Sequence, residues 1–138
     1  MHDPYGFIKR QVLKLNIMSS KKTLVLGASE NPQRYSYLAV KKLLSHNHPV
    51  VAIGKKEGNV HGIAIVKEQK SETDIDTITL YLNPGNQKKY YDYILGLMPK
   101  RIIFNPGTEN EELEALAKMK GIKTLEACTL VMLSTGQY

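Results

Sequence analysis

The 138-residue chain holds a single cysteine, Cys128. No internal disulfide can form, and the expected compartment is the cytoplasm. No run approaches the roughly 18 apolar residues that a membrane helix needs. The opening segment, MHDPYGFIKRQVLKLNI, sets basic residues among its apolar ones and lacks a small-residue cleavage site, so it is a poor secretory signal. The patterns GxxxxGKS/T, GxSxG and HExxH are missing too, which removes the commonest phosphoryl-transfer, hydrolase and metalloprotease signals. His2, His46, His48 and His61 lie near the terminus, in a turn and in a glycine loop, and none has a positioned partner in sequence. All four are expected to face solvent, and His46 with His48 are too few for a zinc site. No catalytic constellation is visible.

What is present fits one globular domain with an ordinary apolar share of 42% and 23% charged residues. The net charge of +6 is uneven: residues 1–70 carry 12 Lys/Arg against four acids, and residues 71–138 carry seven against nine. The basic residues come in ones and twos, without a basic helix or an aromatic-and-basic motif, so nucleic acid is disfavoured as a partner. A polyanionic small molecule accounts for the bias equally well.

Residues 1–20 form an N-terminal extension or an accessory helix, and the domain pattern runs over residues 21–138. Thr23 to Leu26 reads as strand one, followed by Gly27 with the small Ala28 and Ser29. A helix is expected over about Tyr35 to Ser45, with Tyr37, Val40 and Leu44 inward and Pro32 delaying its entry. PVVAIG is strand two. Residues 55–62 read as loop, and IAIV either pairs at an edge or simply packs. TDIDTITLYL ends in strand three, with Ile78, Leu80 and Leu82 alternating against Thr79 and Tyr81. Asn83 and Pro84 cap and open a second helix reaching about Met98. RIIFN is strand four, Pro106 and Gly107 make its turn, and Thr108 with Glu111 has capping-box spacing for a third helix cored on Leu113, Leu116 and Ala117. Gly121 stops that helix before IKTLEA, strand five.

Strands alternating with helices at these lengths argue for a Rossmann-like α/β sandwich of three layers. Its mostly parallel five-stranded sheet is expected in the order 3-2-1-4-5. The chain reverses direction between strands one and four, so a ligand belongs over their C-terminal ends. The loops 27–34 and 105–108 should meet there, with the N-terminus of the third helix beside them.

Strand, small-residue turn and helix in that order present backbone N–H groups to an anion. The turn GASENP has one glycine where the NAD fingerprint needs three. Gly54, Lys55 and Lys56 follow strand two where that motif wants an acid. Lysines there suit a ligand with a phosphate on its ribose, which favours NADP or coenzyme A over NAD.

The runs LVLGASENPQRYSYLAVKKLL, NVHG, DTITLYL and GIKTLEACTL, with the valine-rich second strand, resemble the small single-domain CoA-binding proteins. Their fold is similar to the N-terminal CoA-binding domain of the succinyl-CoA synthetase alpha subunit. The likeness covers residues 22–133. It implies that Gly27, Ala28 and Ser29 wrap the CoA phosphates, that Arg34 supplies charge, and that Lys55 reaches the adenosine phosphate, with Gly54 counted among the cofactor-binding residues. It also implies that Asn105, Pro106 and Gly107 border the pantetheine arm. The chain departs from the family pattern twice. Asn-Pro-Lys after strand two is here Ile53, Gly54 and Lys55, and an aromatic then a glutamine ahead of Pro-Gly are here Ile103 and Asn105.

The function implied is non-catalytic binding of CoA or an acyl-CoA by a sensor, carrier or partner subunit. The alternatives are an NADP-binding oxidoreductase or redox sensor, and an interaction protein with a vestigial crevice. A lone cysteine after a core strand is more often a small buried hydrophobe than a nucleophile. Tyr90, Tyr91 and Tyr93 surround the second helix, divided between core and surface.

Overall fold

The structure, a computed structural model, describes Gly6 and residues 20–138. The expectation for residues 1–20 lies almost wholly outside these described residues. Short apolar blocks become strands: β1 (Thr23–Leu26), β2 (Val50–Ile53), β4 (Ile63–Val66), β5 (Thr77–Leu80), β6 (Arg101–Phe104) and β7 (Lys123–Glu126), with β3 (Gly58–Val60) preceding β4. The helices are α1 (Tyr35–Ser45), α2 (Pro84–Gln87), α3 (Tyr91–Gly96), α4 (Glu111–Met119) and α5 (Thr129–Ser134).

One sheet of seven strands, not five, runs in the order β3-β4-β2-β1-β5-β6-β7. Among the described residues, only β3 is antiparallel to its neighbour. It escapes sequence reading because Gly58 and Asn59 are poor strand formers. Its two-residue connection to β4, His61 and Gly62, has φ of 48° and 86°. Two consecutive positive values are the signature of a hairpin turn that matches strand twist. The IAIV run is thus a true strand, parallel to β2 through Ala52↔Ile65 and Ile53↔Val66.

That pairing alters which strand holds which place. With Ile63–Val66 counted as third, the six parallel strands run 3-2-1-4-5-6, one strand more than expected, and Thr77–Leu80 leaves the edge place that the sequence reading gave it. Thr77–Leu80 then takes the fourth place, directly beside β1 (Leu26↔Leu80), and Arg101–Phe104 lies one strand further out. The chain reverses between β1 and β5, so the loop after β5 joins the ligand side.

Alternation along each strand feeds two cores. Leu24, Leu26, Ile78, Leu80, Ile102 and Phe104 pack with Ile94 of α3 and with Leu113 and Ala117 of α4. Val25, Ala52 and Ile65 pack with Val40 and Leu43 of α1 and Leu133 of α5. The inner face of α1 is therefore Ser36, Ala39, Val40 and Leu43, and Tyr37 and Leu44 are only partly covered at its flank. The second helix does not run unbroken from Pro84 to Met98. Asn83 caps it as expected, accepting the Asn86 N–H at 2.9 Å, but residues Lys88–Tyr90 wind as a 3-10 turn. At three residues per turn, positions i and i+3 share one side, and this buries both Gln87 and Tyr90.

Candidate functional site

The parallel strands start in step, from Thr23↔Val50 and Thr23↔Thr77 to Thr77↔Arg101, so their C-terminal ends line up as one rim. Above the rim lies a crevice of ≈ 840 Å³ between the β1–α1 loop, the end of β2, and the loops after β5 and β6.

The floor of the crevice is the turn after β1. Gly27 has φ 100°, a value that glycine alone adopts without strain, and a Cβ there would lie 3.0 Å from the Tyr81 carbonyl carbon. The N–H groups of Gly27 and Ala28 both donate to Ile53 O, at 2.8 and 3.0 Å. These two donors anchor the turn to β2 and do not face a ligand. Gly54 completes the docking, because a side chain there would overlap the Ala28 carbonyl oxygen and stand 2.9 Å from Ile65 Cγ2. Gly54 lies under the turn, where its lack of a side chain lets the backbones touch.

The loop that follows is shaped by its own side chains. Asn31 N–H donates to Ser29 Oγ at 3.1 Å, Gln33 N–H to Asn31 Oδ1 at 3.0 Å, and Arg34 N–H to Asn31 O at 3.0 Å. Arg34 then takes the N-cap position of α1 without a side-chain cap, and the first turn contains no acid. Tyr37 and Leu38 donate back to Arg34 O, and Tyr35 and Ser36, whose N–H groups lead the helix and have no intrahelical acceptor, line the crevice. The positive end of the helix dipole is thus turned toward the cavity.

The second expected N-terminus behaves differently. Thr108 does not cap the third helix: its hydroxyl donates to Asn105 O at 2.7 Å and closes the β6 turn. The cap of α4 is Asn110, whose Oδ1 accepts the Leu113 N–H at 3.1 Å, and Glu111, Glu112 and Glu114 crowd the first turn. These carboxylates satisfy the end of that helix electrostatically, so among the described residues α1 offers the open one beside the crevice.

Among the residues singled out by sequence, Gly27, Ala28, Ser29, Arg34, Lys55 and Pro106 line the crevice. Lys55 and Lys56 are exposed on its rim after β2. Asn105 is buried below it, with Nδ2 donating to Thr79 Oγ1 at 2.7 Å and Leu80 O at 2.9 Å, while Oδ1 accepts the Thr129 N–H at 2.9 Å. It braces β5 and α5 against the β6 turn. Gly107, with φ 91°, donates its N–H to Glu109 Oε1 and stands outside the lining.

Sequence reading missed Gln87. It is fully buried, its Nε2 donates to Leu82 O and Thr108 O, each at 2.8 Å, and its Oε1 accepts from Asn110 Nδ2 at 2.9 Å. One side chain thereby ties the loop after β5 to the loop after β6. The only signal for it is a glutamine three residues past a Pro-initiated helix. Tyr81, also missed, contributes to the lining of the crevice. Burial pushes its phenol up to about 12, while the nearby hydroxyls of Thr79 and Thr129 pull the other way. The Cys128 thiol is half-buried at the start of α5.

His48 corrects the expectation that every histidine faces solvent. It is buried, its Nδ1 accepts the Lys21 N–H at 2.9 Å, and its ring packs 4.8 Å from that of Tyr138. The Tyr138 hydroxyl meets Thr23 Oγ1, and the Arg101 guanidinium lies 4.4 Å from the ring centroid. This cluster stands at the end of the sheet opposite the crevice and holds its layers together there. Among the described residues, no helix is long and apolar enough to cross a membrane.

Comparison with known proteins agrees with this geometry. A solved structure described as an uncharacterized protein is 52% identical, with a TM-score of 0.85, over 87% of this chain and 99% of its own. A hypothetical protein from Pyrococcus horikoshii OT3 is 20% identical with a TM-score of 0.77, over 98% of this chain and 96% of its own. A protein from Thermus thermophilus is 20% identical with a TM-score of 0.75, over 93% and 98%. The last two are similar in fold alone. No curated protein matches the sequence. The family model described as CoA binding domain matches residues 21–134, and the chain belongs to that family.

Proposed function

We propose that the chain binds coenzyme A or an acyl-CoA through its phosphates and performs no chemistry of its own, serving as a sensor, carrier or partner subunit. The observation that carries this reading is the uncapped N-terminus of α1, which opens on the same crevice as Arg34, Lys55 and Lys56. A diphosphate receives N–H donors and a helix dipole on one side and mobile positive charge on the other. In this reading the diphosphate sits against Ser29, Tyr35 and Ser36, the ribose phosphate reaches Lys55 and Lys56, and the pantetheine arm passes Tyr81, Leu82 and Pro106. Gly27, Ala28 and Gly54 hold the floor in place. Asn105 and Gly107 fix the loop that presents Pro106.

Family membership supports CoA as the ligand over NADP. Isothermal titration with CoA, an acyl-CoA and NADP in parallel tests the reading. Saturable heat with CoA or the acyl-CoA, displaced by neither NADP nor NAD, is expected. No heat with either CoA species at millimolar concentration would overturn it, and preference for NADP would replace it with an oxidoreductase or redox sensor.

A further inference from the structure

Gly58 opens β3, and its φ is not positive. The backbone conformation does not require glycine there. A Cβ at Gly58 would, however, overlap Glu30 Cγ and Cδ and stand 2.7 Å from Oε1, so a side chain there would displace the Glu30 carboxylate from its present place. The Glu30 side chain leaves the loop between β1 and α1, crosses to the edge hairpin, and accepts the Asn59 N–H on Oε2 at 2.9 Å. The hairpin is in turn organised by Gly62 N–H donating to Asn59 Oδ1 at 3.0 Å, and its turn meets α1 where Tyr37 Oη lies 3.3 Å from His61 Nε2.

Glu30 is also one of two acids, with the exposed Glu57, in a crevice whose cations are Arg34, Lys55 and Lys56. A free carboxylate there would pair with these cations and compete with an incoming phosphate. Bound to the Asn59 N–H, it is directed to the edge of the sheet, where it holds the loop that carries Ser29 and Arg34.

We infer that Glu30 is a positioning residue for the phosphate site. It clamps the loop between β1 and α1 to the β3–β4 hairpin, with Gly58 as its seat, and withdraws its own negative charge from the ligand. The inference rests on the reading of this crevice as a CoA phosphate site. It predicts an order among variants that simple damage to β3 would not produce. Glu30→Ala loses the clamp but also the carboxylate, and weakens CoA binding only a few-fold. Gly58→Ala unseats the carboxylate and leaves it among the cations, and weakens binding by about tenfold, within the range by which touching residues couple.

The test is a double-mutant cycle of wild type, Glu30→Ala, Gly58→Ala and the double variant. CoA affinity is read by calorimetry, alongside the hydrogen-exchange rate of the Asn59 amide. The double variant is expected to bind as well as Glu30→Ala, so that removing the acid rescues Gly58→Ala, and Asn59 exchange is expected to accelerate in all three variants. Losses that multiply in the double variant, or a Gly58→Ala protein with wild-type affinity and Asn59 protection, would overturn the clamp. If wild type takes no CoA, the ligand reading alone falls. The clamp is then judged by Asn59 exchange, with unchanged protection in Glu30→Ala refuting it.

Discussion

Gly54 lies directly beneath Ala28, so close that a single methyl at Gly54 would overlap the Ala28 carbonyl oxygen. That contact joins the end of β2 to the turn after β1, beside the two hydrogen bonds that Gly27 and Ala28 donate to Ile53 O. The overlap is with backbone on one side and with the buried Ile65 on the other, so neither can swing aside. Gly54→Ala is expected to cost about 1–3 kcal/mol of stability, the usual penalty for overpacking a filled core. CoA affinity should fall with it, because the turn would have to lift. Urea unfolding measures the first and calorimetry the second, and a variant as stable as wild type would show that the turn can shift freely.

Gln87 offers a test of how the far wall of the crevice is built. Replacing it by Leu keeps the volume but strands Leu82 O and Thr108 O and leaves Asn110 Nδ2 with Tyr91 Oη as its remaining partner. Buried groups left unpaired cost about 1–3 kcal/mol each, less where water can reach them. Gln87→Leu should therefore unfold at clearly lower urea concentration than wild type. A midpoint that does not move would mean that the two loops hold their shape independently.

Ser29 and Lys55 test the charge preference of the crevice. Ser29→Asp and Lys55→Glu each set a negative charge where phosphate is proposed, and both should weaken CoA binding without lowering thermal stability. Lys55 is exposed, so its contribution should shrink as salt is added, in line with a screening length of about 10 Å at 0.1 M. Calorimetry at low and high ionic strength checks this. Equal affinity of wild type and both variants at low salt would remove phosphate from this side of the crevice.

His48 sets a pH limit on the fold. Its pKa is lowered from 6.5, chiefly by burial and then by the charge of Lys21, and its Nδ1 must stay unprotonated to accept the Lys21 N–H. The unfolded chain binds this proton more readily than the folded one. The stability contributed by His48 is complete above about pH 6.5 and is lost as pH falls through the lower folded value. Urea unfolding between pH 5 and 7.5 should show wild type weakening toward the acid side, with a shallower decline in His48→Asn. Parallel declines in the two proteins would assign the acid sensitivity elsewhere.

Most of the fold was legible in the sequence wherever a compact apolar block ended at a turn residue. Thr23 to Leu26 and Tyr35 to Ser45 fall where their patterns place them. What escaped has physical causes. The strand Gly58–Val60 is held by a hairpin turn and by the seat that Glu30 occupies, and neither leaves an apolar signature. The helix Thr129–Ser134 is six residues long, too short for a helical period to emerge. The 3-10 turn at Lys88–Tyr90 exists because Gln87 and Tyr90 are both drawn inward, a tertiary demand. Thr108 and Glu111 have the spacing of a cap, but the nearer Asn110 takes that role while Thr108 closes the preceding turn. Within the site, the charges and the small residues were readable. The roles of Gly27 and Ala28 were not, because Ile53 O, which claims their N–H groups, comes from a strand about 25 residues downstream.

The capture of both the Gly27 and the Ala28 N–H by Ile53 O has a thermodynamic corollary. The turn is already in its final shape before any ligand arrives, and its ordering entropy is spent during folding instead of at association. Ligand uptake should consequently show a heat-capacity change set by the surface that the ligand itself covers, without the larger negative value that accompanies a segment folding onto its partner.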